Sequence, residues 1–409
     1  MSLHLTIDGL GAKGDGVARG AGGEPLFVPF ALPGERIAVE RIGARLSIGT
    51  ILETSPERQI PPCPHFGICG GCDLQHASEP LYRGFKRDLV VDAFARSGIE
   101  TEIAELVPCL PNTRRRAVFS GMREGNRIVF GFFEQQTNRV ADINVCLVVV
   151  PEIAARLADL KGLALIVADR KRPMRMSVTA TSSGLDIALS DTAKLTESMR
   201  QSILAFSMRR DFPRVTLDGE VIVETRKPTL SIGGIAVAPP PGAFIQAVAS
   251  AEEAMAALVT EHLLPCKATA DLFCGIGTFA LRLARTSSVL ADETPANALA
   301  ALDQGRRGVP GLKQITAERR DLFRRPVTAR ELAKVTGLVF DPPRAGAETQ
   351  VREIVLSKVS RVAAVSCNPA TLARDARILI DGGFKLISVT PIDQFLWSHH
   401  VEAVALFER

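Results

Sequence analysis

Residues 270–281 read ADLFCGIGTFAL. An apolar run stops at two glycines, Gly275 and Gly277, and a second apolar run follows. That is the pattern of strand, tight turn, helix. Glycines there let the backbone pass close to a ligand, and the helix start offers unpaired N–H groups to it. Roughly twenty residues on, where such units place a ribose-binding acid, VLADE (289–293) ends another apolar run with Asp292 and Glu293. Both compete for that role, and Glu293 is favoured. A third acid, Asp321 in ERRDLF (318–323), suits an adenine amino group or is an ordinary helix cap. From about residue 245 strand and helix patterns alternate to the last residue, which argues for a doubly wound parallel sheet.

Two more strand ends in this region carry chemistry. GLVFDPPRAG (337–346) places Asp341 after an apolar strand and stiffens the chain behind it with two prolines. A carboxylate there lies over the ligand crevice. Asp-Pro-Pro at this position resembles the site where many S-adenosylmethionine methyltransferases hold a planar base, and Arg344 suits a base or a phosphate. AVSCNPATL (364–372) ends the next strand with Cys367, which should face the same crevice. A thiolate there suits addition to C6 of a uracil, which makes C5 nucleophilic. The C5 proton must then leave to a base, and Glu402, just before the apolar run AVALF, is the candidate.

Upstream, residues 1–55 hold short β-rich runs (LHLTIDGL, EPLFVPF, ERIAVERIG) between the glycine-rich turns GAKGDG and GAGGEP. Their spacing fits a five-stranded barrel of the oligonucleotide-binding type. Residues 81–97 have helical periodicity, and from about 113 to 240 alternating runs suggest an antiparallel sheet with helical insertions. The domains expected are therefore 1–55, 56–240 and 241–409.

Between barrel and sheet, CPHFGICGGC sets Cys63, Cys69 and Cys72 in a C-x5-C-x2-C spacing. Three thiols this close in a reducing compartment point to metal. Cys146 in DINVC is the best fourth ligand, because it reads as a strand end of the central sheet; Cys109 and His76 compete. Four thiolates suit zinc or a [4Fe–4S] cluster, and spacing does not choose.

The chain has 409 residues, 46% hydrophobic and 23% charged, with formal charge +4 and eight cysteines. These values fit a globular, multidomain, mildly basic protein with thiols rather than disulfides. No apolar run approaches the roughly 18 residues of a membrane span, and MSLHLTIDGL lacks the features of a secretion signal, so a cytoplasmic location without membrane contact is expected. The basic runs TRRRAV (Arg114, Arg115, Arg116) and RKRPMR read as RNA contacts or as solvated faces.

Taken in order, ALPGERI, CPHFGICGGCDLQH, the Gln of FIQ, DLFCGIGTF, DPPRAGA, SCNPATLARD and HVE span nearly the whole chain. This series resembles the RNA uracil-C5 methyltransferase family, in the 23S rRNA branch with an N-terminal TRAM barrel and an iron–sulfur cluster. The resemblance implies a class I methyltransferase domain behind a central α+β domain, S-adenosylmethionine as cofactor, and RNA as partner of a monomeric enzyme. Ribosomal RNA is favoured as target, with the T-loop uridine of tRNA as the alternative. It makes Cys367 the nucleophile, Glu402 the base, and Cys63, Cys69, Cys72 and Cys146 the ligands of a [4Fe–4S] cluster. Cofactor contacts fall on Gln246, Phe273, Gly275, Thr278, Glu293, Asp321 and Asp341. The chain departs from the family pattern at Leu147, Val248, Leu396 and Ser398.

Overall fold

The computed structural model describes residues 3–42 and 45–409. Near the N-terminus six strands form among the described residues, where the sequence suggests five. Leu3–Thr6, Arg36–Ile42 and Arg45–Glu53 make one antiparallel sheet, and Gly9–Leu10, Gly16–Arg19 and Pro25–Val28 make another. Both cover one core that includes Leu5, Ala18, Val28, Ile37 and Val39. The strand Gly16–Arg19 escapes sequence reading because its four residues sit between two glycine turns. Glu35 is fully buried and accepts from Arg58 Nη2 at 2.8 Å, which ties this segment to the cysteine-rich one.

Helix Glu79–Arg96 starts where Ser78 accepts the N–H of Leu81 and Pro80 occupies the first turn. The central sheet has six strands, ordered Glu220–Glu224, Arg214–Leu217, Gly184–Ser190, Met174–Thr181, Arg116–Glu124, Arg127–Gly131. It is not wholly antiparallel as expected: Gly184–Ser190 and Arg214–Leu217 run parallel. Helix Glu197–Arg209 makes the crossover that a parallel pair requires. A buried bidentate pair, Arg214 to Asp186 at 2.8 and 2.7 Å, fixes their register.

The C-terminal sheet has seven strands: Ala268–Leu272, Ser288–Glu293, Ile315–Arg319, Gly337–Phe340, Arg361–Ser366, Lys385–Ile392 and Glu402–Glu408. Numbered along the chain, they lie in the order third, second, first, fourth, fifth, seventh, sixth. The first five pair in parallel, as the alternating pattern predicts. The last departs from that expectation, entering antiparallel between the fifth and sixth. Apolar side chains cover both faces of the sheet in two clusters, which explains the continuous runs GLVF and VAAV.

The loop between the last two strands is clamped by charge. Lys86, fully buried on helix Glu79–Arg96, donates to Asp393 Oδ1 at 2.6 Å and to the Phe395 carbonyl at 2.9 Å. Tyr82 donates its hydroxyl proton to Asp393 Oδ2 at 2.5 Å and accepts the Trp397 N–H at 2.8 Å. Trp397 sits at φ +58°, a left-handed conformation costly for a bulky residue, and this clamp holds it there. Removing one partner of a buried pair strands the other charge, so Lys86→Met should destabilise the protein by about 3 kcal/mol. Trp397 is the only tryptophan, so urea unfolding followed by its fluorescence reads this loop directly; an unchanged midpoint would contradict the clamp.

Candidate active site

The glycine turn opens the crevice. Phe273 is held at φ +63°, its N–H donating to the Asp292 carbonyl at 3.0 Å. Its ring packs against Phe323 with centroids 5.5 Å apart. Gly275 follows at φ +56° with open space where a side chain would be. Gly277, at φ +98°, has no such freedom, since a Cβ would come within 2.4 Å of Leu302. Thr278 is half-buried on the same turn.

The two competing acids separate cleanly. Asp292 is fully buried and faces Arg320 at 3.2 Å. Burial pushes its carboxyl up to about 7 although Arg320 opposes that. Glu293 turns to the glycine turn, accepting from the N–H groups of Gly275 at 2.8 Å and Thr294 at 2.6 Å. Asp321 Oδ1 accepts the N–H groups of Phe323 and Arg324 at 3.1 and 3.3 Å, so it also caps its own turn.

Cys367 and Glu402 meet through strand register. Ser366 pairs with Ala403 across the antiparallel fifth and seventh strands, so Cys367 just past the end of one lies near Glu402 at the start of the other, close enough for the Glu402 charge to act on the thiol. Asn368 then turns the chain: its Oδ1 caps helix Pro369–Asp381 at the Ala370 N–H, and its Nδ2 donates to the Arg344 carbonyl at 3.0 Å. That bond holds the DPPR turn beside the cysteine. Asp341 accepts from Gln246 Nε2 at 2.9 Å. Gln394 donates to Gln246 Oε1 at 2.8 Å and to Glu402 Oε2 at 2.6 Å.

Too many carboxyls share this crevice for its cations. Burial pushes Asp341 up to about 7, opposed by Gln246 and aided by the Glu293 charge. Glu402 is raised well above the carboxylate range by burial and then by Asp341. Burial, with Glu402 and Asp341 adding, pushes the Cys367 thiol up to about 11 against the pull of Arg344. The excess of acid fits a cationic ligand.

Cys63, Cys69, Cys72 and Cys146 line one cavity of about 390 Å³, together with Arg114, Arg344, Phe395, His399 and His400. Cys146 does not end a strand, as the sequence suggests; it lies in the irregular segment between strand Arg127–Gly131 and helix Pro151–Ala154. The two competitors are elsewhere. Cys109 is buried beside Lys86 and Asp393, and His76 packs against Phe30 and Phe66 at 5.9 and 5.3 Å. Burial and neighbouring thiols push Cys72 up to about 12 and Cys69 up to about 11. Among the described residues no three His, Cys, Asp or Glu side chains converge closely enough to hold a single metal ion.

The basic runs divide. Arg115 is spent inside the protein, paired with Glu252, which Arg282 also reaches at 2.9 Å. Arg114 lies over the Phe395 ring at 5.7 Å. Arg170, Lys171 and Arg172 are exposed. Sequence reading missed Phe323 and Gln394, whose partners lie far away along the chain; Gln394 follows strand Lys385–Ile392 by two residues, in the loop after it.

The seven-stranded order and crevice define a methyltransferase fold, and the comparisons agree. The Pyrococcus abyssi tRNA (uracil-54, C5)-methyltransferase, solved in complex with S-adenosyl-L-homocysteine, superposes with a TM-score of 0.77 at 21% identity, covering 99% of both chains. An uncharacterized RNA methyltransferase of Brucella suis biovar 1 is 51% identical over 99% of this chain and 98% of its own. A 23S rRNA (uracil(1939)-C(5))-methyltransferase of Shewanella amazonensis is 31% identical over 99% of this chain and 95% of its own. The family model tRNA (Uracil-5-)-methyltransferase matches residues 109–409. The chain belongs to this family of RNA (uracil-5-)-methyltransferases, which are enzymes.

The raised Cys367 thiol gives a pH signature. With its ionisation near 11, only about one thiol in a thousand is ionised at pH 8. Iodoacetamide labelling of Cys367, taken as the difference from Cys367→Ala, should rise steadily from pH 7 to 10. A plateau below pH 8 would show a thiol already ionised.

Proposed function

We propose that this protein methylates C5 of a uridine in RNA by covalent catalysis. The observation that carries the reading is the antiparallel pairing of Ser366 with Ala403, which brings the strand ends carrying Cys367 and Glu402 together, with the Glu402 and Asp341 charges both acting on the thiol. Cys367 adds as thiolate to C6 of the uracil, and C5 becomes nucleophilic. Once C5 has gained the methyl group, Glu402 takes the C5 proton, the C5–C6 double bond re-forms and the thiolate leaves. Arg344, whose charge favours the Cys367 thiolate, stabilises that form. A uracil stacked in a helix cannot reach these groups, so the target base is flipped out or unpaired.

S-Adenosylmethionine is the cofactor this crevice fits. It supplies an electrophilic methyl group and a positive charge where unpaired carboxyls gather. Phe273 and Phe323 offer an aromatic wall for adenine, Glu293 accepts from ribose hydroxyls, and Asp321 faces the adenine amino group. Gln246, Asp341, Gly275 and Thr278 line the remainder.

Cys63, Cys69, Cys72 and Cys146 fit a [4Fe–4S] cluster. The four line one cavity, and four thiolates suit either a [4Fe–4S] cluster or zinc; the resemblance of the CPHFGICGGCDLQH segment favours the cluster. Methyl transfer needs no electron, so the cluster's role is structural or RNA-orienting. Residues 1–55 act as the TRAM-type barrel that grips RNA, 56–240 carry the cluster, and 241–409 do the chemistry. The 31% identity to an rRNA enzyme over nearly the whole chain favours 23S rRNA over tRNA.

Labelled S-adenosylmethionine with unmodified 23S rRNA and unmodified tRNA, side by side, tests this reading. The expected result is label at uracil C5 of the rRNA, with Cys367→Ala reducing it by at least about a thousand-fold, the scale expected of a lost nucleophile. Label on tRNA alone would change the target, and label unaffected by the substitution would defeat the mechanism. Protein purified without oxygen should be brown, with broad absorption near ~400 nm, lost in Cys146→Ser. Colourless protein with stoichiometric zinc would contradict the cluster.

A further inference from the structure

We infer that Gln394 is a positioning residue that fixes which oxygen of Glu402 takes the C5 proton; this rests on the function proposed above. Gln394 is 2% exposed and its amide is fully bonded. Its Oε1 accepts the Ala247 N–H at 3.0 Å, so its Nε2 faces Gln246 Oε1 at 2.8 Å and Glu402 Oε2 at 2.6 Å. A flipped amide would set oxygen against two acceptors and NH2 against an N–H, losing all three bonds. Gln246 is oriented in the same way, because its Nε2 donates to Asp341 Oδ2. The two amides form a directional chain linking the two carboxyls that flank Cys367.

Among the described residues, Gln394 is the only hydrogen-bond donor to the Glu402 carboxyl. The terminal torsion of a glutamate is broad and roughly two-fold, so one fixed donor decides its orientation. With Oε2 occupied, Oε1 remains as proton acceptor. A donor to Oε2 also favours the charged form of a carboxyl that burial otherwise keeps neutral. Gln394 itself is held firmly: Asp393 before it binds Lys86 and Tyr82, and Phe395 after it donates its N–H to Asp393 and accepts from Lys86.

In the step concerned the C5–H bond breaks, its electron pair re-forms C5=C6, the C6–S bond breaks, and the proton goes to Glu402. Loss of the Gln394 donor slows this release without removing the nucleophile. The enzyme therefore stalls as a protein–RNA adduct.

The test uses the full chain with S-adenosylmethionine and transcripts of 23S rRNA and tRNA, counting denaturant-stable adduct and released methylated product. Gln394→Met keeps the length and removes every polar contact. Gln394→Leu removes the same donor without adding an ionisable group. Both should raise the adduct-to-product ratio by at least about ten-fold and lower turnover by ~10–100-fold, part of what general-base catalysis contributes. The ratio does not depend on the fraction of protein folded. Adduct and product falling together, or an unchanged ratio, would make Gln394 a packing residue and overturn the inference alone. Wild-type protein giving neither product nor a Cys367-dependent adduct would overturn the proposed function and this inference with it.

Discussion

The antiparallel register between Arg361–Ser366 and Glu402–Glu408 is the constraint on which the site depends. Five parallel strands would deliver Asp341 and Cys367 to one edge of the sheet without a partner for the cysteine. A seventh strand running the other way starts where the fifth ends, and so brings its first residue to the same place. Side chains alternate along a strand, so a slip of one residue would turn Glu402 to the opposite face. The slip is resisted because residues from Glu402 to Phe407 are buried, at 9% exposure or less. Both faces of that strand are committed to cores, and the carboxyl cannot move without exposing them.

The loop that feeds this strand joins the cysteine-rich segment to the crevice. Asp73, next to Cys72, accepts from both the backbone N–H and Nδ1 of His399, at 3.1 and 2.7 Å. The Trp397 carbonyl accepts the N–H groups of Asp73 and Leu74. Lys86 and Tyr82 hold the same loop from the helix side. The cysteine-rich segment is thereby hydrogen-bonded to the loop that leads into Glu402. Arg344 stands at the junction, lining the cysteine cavity while its charge acts on Cys367.

Much of the candidate site was legible because its residues sit at strand ends, and strand ends are local in sequence. DLFCGIGTF, DPPR and SCNP each announce an apolar run, a turn and a candidate side chain within a few residues. Sequence reading left Asp292 and Glu293 as competing neighbours; the pleat turns the first to Arg320 and the second to Gly275. Legibility fails where a residue's role comes from distant partners. Arg115 belongs to a basic run yet pairs with Glu252, 137 residues away. Cys146 joins the other three cysteines from a loop, because the turns of the cysteine segment, not a strand, bring them together. Gln394 is set by contacts 147 and 148 residues distant. The antiparallel entry of the last strand is equally invisible, since a buried run reads the same in either direction.

The most direct test of the covalent account replaces the C5 hydrogen of the target with fluorine. An RNA transcript made with 5-fluorouridine has no C5 proton for Glu402 to take, so elimination cannot follow methyl transfer. Incubated with S-adenosylmethionine, digested and weighed by mass spectrometry, the protein should yield a peptide containing Cys367 that carries a methylated fluorouridine. No stable adduct, or an adduct on a different cysteine, would contradict the assignment of Cys367 as nucleophile.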